Sequence, residues 1–105
     1  MKVAYIAGPY RAETEWKVLQ NIRRAEVVAQ KYWNMGYAVI CPHKNSAYMG
    51  NGAVSDKQFL AGDLEIIRRC DVVVMMPEWM CSAGATAELA LAQDLGKEII
   101  FEDEE

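Results

Sequence analysis

Four short apolar runs, Lys2 to Ala7, Tyr37 to Cys41, Val72 to Met76 and Glu98 to Phe101, are separated by segments whose apolar residues recur at helical steps. Continuous apolar runs of this length, bounded by turn residues, predict strands buried on both faces. Gly8-Pro9 closes the first strand, because glycine admits an unusual turn and proline cannot continue a ladder. From Glu15 to Met35 the residues Trp16, Leu19, Ile22, Ala25, Ala29, Tyr32 and Trp33 step by threes and fours, which predicts a long helix stopped by Gly36. Val18, Val27 and Val28 widen its apolar stripe beyond what one sheet face needs, so a homo-oligomer, a dimer or larger, is expected. Pro42-His43-Lys44-Asn45 opens a loop running to about Ser55, and Asp56 to Arg69 is a second helix with a break or fresh start expected at Gly62-Asp63. The third helix is capped by Ser82 and stopped by Gly96, and Glu102 to Glu105 is expected to be a solvated acidic tail.

Strands alternating with helices predict an α/β fold, a single-domain three-layer sandwich over residues 1–105 with a short parallel sheet, flavodoxin-like or Rossmann-like. Such sheets bind ligands beyond the carboxyl ends of their strands, where the strand order reverses. Gly8, Tyr10 and Arg11 follow the first strand, His43 the second, and Ser82, Gly84 and Glu88 the third, so all converge on that edge.

At 105 residues, 52% hydrophobic and 25% charged, the chain suits one domain burying about 60 to 70% of its unfolded surface. A net charge of −4 argues against a nucleic-acid polymer as partner but allows a single nucleotide. Cys41, Cys70 and Cys81 are odd in number and sit in or beside apolar runs, which suits reduced, buried thiols and a cytoplasmic protein. They lack paired spacing for zinc, so no metal is expected, and no apolar run is long enough for a signal peptide or a membrane span.

The candidate chemistry centres on Ser82-Ala83-Gly84 and Glu88. A serine N-cap followed by glycine makes a seat for an anion, and Glu88 lies one turn beyond Gly84 on the same helix face. Neither a dinucleotide-binding glycine turn nor a triphosphate-binding loop is present. Arg11, one helix N-terminus and the carboxylates Glu88 and Asp63 suit a monophosphate or a sugar hydroxyl better than a triphosphate.

Tyr5-Ile6-Ala7-Gly8-Pro9-Tyr10-Arg11, Cys41-Pro42-His43, Asp63-Leu64-Glu65, Cys70-Asp71-Val72-Val73-Val74 and Ser82-x-Gly84-x-x-x-Glu88 together resemble the nucleoside 2-deoxyribosyltransferase family. Within it the pattern is more similar to the 2′-deoxynucleoside 5′-monophosphate N-glycosidases. The resemblance implies cleavage or transfer at the bond between a base and a deoxyribose, through Glu88 as nucleophile and a covalent deoxyribosyl intermediate, with no cofactor. A carboxylate beside C1′ can stabilise or trap an oxocarbenium ion, as in retaining glycosidases. Asp63 would protonate the leaving base and Tyr5 would orient Glu88. Gly8, Tyr10, Arg11, His43, Ser82 and Gly84 would hold the nucleoside or nucleotide, and Trp79 would wall the base. Plainer readings stand beside these: Asp63 as a helix cap, Arg11 paired with Glu13 or Glu15, His43 as a loop brace, Tyr5 as core. The alternative for the whole chain is a non-catalytic module that binds or senses a nucleotide.

Overall fold

A computed structural model describes residues 1–47, 49 and 52–102. Strands β1 (Val3–Ala7), β2 (Ala38–Ile40), β3 (Val72–Met75) and β4 (Glu98–Phe101) form one parallel sheet in the order β2-β1-β3-β4. The chain leaves β1 for β2 on one side and then crosses back to β3 on the other, so the strand order reverses between β1 and β3. Successive side chains of a strand point to opposite faces. Ala4 and Ile6 of β1 accordingly join Val39, Val72 and Val74 beneath helix α1 (Glu15–Asn34), while Tyr5 and Ala7 join Val73 and Met75 beneath α3 (Asp56–Arg68) and α4 (Ala83–Asp94). The result is the expected three-layer α/β sandwich.

The helix ends follow local chemistry. Thr14, Ser55 and Ser82 each accept a hydrogen bond at 3.1 Å from the amide three residues on, satisfying one orphan donor of the first turn. At the other end Gly36 and Gly96 adopt φ of 96° and 69°, and the amides of Tyr37 and Lys97 reach back to the carbonyls of Tyr32 and Ala92. These are paired backward bonds that only a left-handed residue allows, which is why glycine stands there.

Four expectations need correction. Helix α3 runs through Gly62 and Asp63 without a break, because a glycine inside a helix only weakens it when the flanking apolar face is packed. Pro42–Asn45 is not loop but one helical turn, α2, which proline at its first position favours; of the loop beyond it, residues 48, 50 and 51 lie outside the described residues. Glu102, placed in a solvated tail, accepts from Lys31 Nζ at 2.9 Å and Tyr32 Oη at 3.2 Å, and its amide extends the ladder to Met75. The rest of the tail, residues 103–105, lies outside the described residues. Trp16 and Trp33, read as part of the apolar stripe of α1, are 66% and 56% exposed, and Val27 and Met35 are exposed with them. None of the described helices is long and apolar enough to cross a membrane.

Gly8 sits where β1 and β3 end side by side. A Cβ there would lie 2.5 Å from Met76 Sδ and 2.7 Å from Met76 Cβ, the latter fixed to the backbone and unable to swing away. We expect Gly8→Ala to destabilise the fold by about 1–3 kcal/mol, read as a lower midpoint in urea unfolding, because overpacking forces the strand ends apart. An unchanged midpoint would show that the two ends yield easily.

Candidate active site

On α4 the residues Ala85, Glu88, Leu89 and Ala92 make the buried stripe, so Glu88 occupies a position where an apolar residue would pack. It is only 6% exposed. A carboxyl group removed from water is unfavourable unless a donor meets it, and here the Tyr5 hydroxyl donates to Glu88 Oε2 from β1. Burial raises the Glu88 pKa to about 7; the Tyr5 hydrogen bond opposes this rise and the charge of nearby Asp63 adds to it. Tyr5, itself fully buried, has its pKa pushed far above the usual phenol value by burial and then by the Glu88 and Asp63 charges. It therefore stays a donor at any ordinary pH.

Asp63 reaches the same place from α3. It is partly buried, and that burial raises its pKa. Because its negative charge is among the causes that raise Glu88, Asp63 ionises ahead of Glu88 as pH increases. The two carboxyls and the phenol thus form one coupled group under the ends of β1 and β3.

Beside them lies the N-terminus of α4. Ser82 spends its oxygen on the Ala85 amide, which leaves the Ala83 and Gly84 amides of the first turn without an intrahelical partner. A Cβ on Gly84 would meet nothing closer than Ser82 Oγ at 3.8 Å, so internal packing does not require glycine there. Open space over two free amides is what a close-lying ligand needs.

The loop after β1 is braced from two sides. His43, buried on α2, has its pKa lowered by burial and is neutral; since the Pro9 carbonyl can only accept, Nε2–H donates to it at 2.8 Å. The His43 ring also meets Tyr10 edge-on, with centroids 5.8 Å apart. From α1, buried Asn21 donates through Nδ2 to the Tyr10 carbonyl at 3.0 Å and accepts from Arg24 through Oδ1. Arg24 also lies 3.6 Å from Glu78, whose φ of 66° marks the sharp turn after β3. Asn21 and Glu78 escaped the sequence reading. A polar residue inside the apolar stripe of α1, beside Ile22, was the available signal for Asn21.

Arg11 is exposed and does not pair with Glu13 or Glu15; its guanidinium meets the carboxylate of Asp56, the first residue of α3. Trp79 packs against Phe101 of edge strand β4, ring centroids 6.0 Å apart. Cys70 is buried and Cys41 partly so, but Cys81 is exposed, contrary to expectation, because it lies in the turn that precedes α4. A shallow groove between α1 and α2, lined among others by Glu26, Trp33, Cys41 and Lys44, includes none of the Tyr5, Asp63 and Glu88 group.

Fold and site together define a doubly wound α/β domain with a buried carboxylate at its switch point. The chain belongs to the family described as a domain of unknown function, DUF4406, the match running over residues 1–101. Two solved structures share the fold. One is a 2-deoxyribosyltransferase from the psychrotolerant bacterium Bacillus psychrosaccharolyticus, with a TM-score of 0.67 and 22% identity over 94% of this chain and 70% of that one. The other is a 2-deoxyribosyltransferase from Leishmania mexicana, with a TM-score of 0.64 and 21% identity over 96% of this chain; the chain spans 63% of that enzyme's length. No curated protein matches the sequence.

Proposed function

We propose that the protein cleaves or transfers at the N-glycosidic bond of a 2′-deoxynucleoside or its 5′-monophosphate, as a transferase or as an N-glycosidase, with Glu88 as nucleophile. The observation that carries this reading is the Glu88 carboxyl itself: buried in a core stripe, gripped by the Tyr5 hydroxyl and set beside a second carboxyl. A structural helix position has no use for a group so costly to bury. The 2-deoxyribosyltransferases that share the fold lend it support.

In the first step Glu88 attacks C1′, the C1′–N bond breaks, and its electron pair passes to the base, which takes a proton from Asp63. In the second, the Asp63 carboxylate removes a proton from water or from a second base, whose oxygen or nitrogen attacks C1′ and returns the electron pair to Glu88. Tyr5 holds the attacking carboxylate in one orientation throughout. The pair at rest carries one proton, on Glu88, the second to ionise; the reactive form is the minor one in which that proton has passed to Asp63 and Glu88 is ionised. Below the first ionisation both groups are protonated, and above about pH 7 neither is. We expect kcat/KM to follow a bell with its alkaline limb near pH 7; a rate still rising beyond that point would remove Asp63 as the acid.

The direct test is incubation with the four common deoxynucleosides and their 5′-monophosphates, with and without a second free base. Release of base supports hydrolysis and exchange supports transfer. Tight nucleotide binding with neither would establish a sensing module instead.

A further inference from the structure

We propose, resting on the reading of the site given above, that Asp56 sets the preference for phosphorylated over unphosphorylated substrate by holding the Arg11 guanidinium until a 5′-phosphate displaces it. Asp56 and Asp63 are seven residues apart on α3, two turns on the same face, so Asp56 stands about 10 Å nearer the helix N-terminus than the carboxyl whose charge acts on Glu88. Arg11 extends to it from the loop that β1 sends over the same strand ends. The pair therefore stands about two helical turns from Asp63, towards the N-terminus of α3. In a β-nucleotide C5′ is borne on C4′, across the ring oxygen from C1′, and lies on the ring face opposite to a carboxylate that displaces the base, so a substrate with C1′ at Glu88 carries its phosphate away from that carboxylate.

The exchange is favoured by simple electrostatics. Both side chains are mostly exposed, 68% for Arg11 and 73% for Asp56, and ion pairs of that kind contribute little. A phosphomonoester carries nearly twice the charge of a carboxylate and offers the guanidinium fork two oxygens. Asp56 loses little when Arg11 leaves, because a carboxylate in the first turn of a helix is stabilised by the helix dipole. It is also not needed as the cap, since Ser55 accepts from the Gln58 amide. What Asp56 does impose is competition for Arg11.

Binding is to be measured by calorimetry in a Glu88→Gln background, which prevents turnover, using the four 2′-deoxynucleoside 5′-monophosphates and the matching deoxynucleosides. Asp56→Asn is expected to tighten monophosphate binding roughly fivefold and to leave the deoxynucleosides unchanged. Asp56→Glu should restore the original values. With Arg11→Ala also present, the gain from Asp56→Asn should shrink to less than about twofold, because the effect runs through the guanidinium. Unchanged or weaker monophosphate binding in Asp56→Asn, an equal gain for deoxynucleosides, a full gain without Arg11, or no binding of any of these compounds would each overturn the role of Asp56. Base release by the wild type is read separately, so the glycosidic reading can fail while this one stands, and the reverse.

Discussion

Replacing Glu88 by Gln should lower turnover of a deoxynucleoside substrate by about three orders of magnitude or more, roughly 4 kcal/mol in barrier at about 1.4 kcal/mol per tenfold. Gln keeps the length of the side chain and can still accept from the Tyr5 hydroxyl, so the buried hydrogen bond survives. What goes is the negative charge that, in the proposed mechanism, would stabilise positive charge at C1′ and then form the ester. That interaction is made mainly in the transition state, so substrate affinity should change far less than the rate. A 2′-fluorinated analogue, slow to release its sugar, should leave a covalent adduct at Glu88 of the wild type, visible by mass spectrometry, and none on the variant. Turnover unchanged in Glu88→Gln would sink the mechanism.

The same substitution should make the protein more stable, and only at high pH. The Glu88 pKa rises from 4.5 to about 7 on folding. Between those values the unfolded chain has lost the proton that the folded chain keeps, so stability falls as pH rises through this window and stays reduced above about 7. At about 1.4 kcal/mol per unit the loss amounts to about 3 kcal/mol. Gln carries no such burden. Near pH 4 the two proteins should melt at similar temperatures, whereas above about pH 8 Glu88→Gln should melt more than about 10 °C higher, given the entropy of unfolding of a domain this size. A gap of equal size at both pH values would mean that the stabilisation is packing and not charge. Together the two results would show a carboxyl retained for chemistry against the interest of the fold.

Strands and helix ends were legible because each rests on local chemistry. Glu98 to Phe101 was read with its final boundaries, and Ser82, Gly36 and Gly96 act through backbone groups within a few residues of themselves. The sheet class followed from alternation alone. The face on which Tyr5 lies did not, since β1 is buried on both sides and carries no polar contrast to mark one face from the other. Its contact with Glu88 was inferred from resemblance, and the hydrogen bond became visible only when β1 and α4 were brought together. The plainer reading of Arg11, a pair with Glu13 or Glu15, failed because nearness in sequence is a poor guide in a loop: Glu13 pairs with Lys17, and Asp56 arrives from another layer. The exposed tryptophans of α1 show the limit of periodicity, which finds an amphipathic face but not how far the sheet extends beneath it.

Tyr5 and Glu88 are separated by 83 residues, and β1, which carries Tyr5, lies between β2 and β3, both synthesised later. Parallel pairing across long connections is slow, since chain entropy is lost before the contacts form. A chain still emerging from the ribosome holds the phenol without the carboxyl, and one that has not docked α4 leaves Glu88 in water at an ordinary acidity. The Tyr5–Glu88 pair is therefore absent from nascent and misassembled copies, and any activity that depends on it should be lost once α4 leaves the sheet.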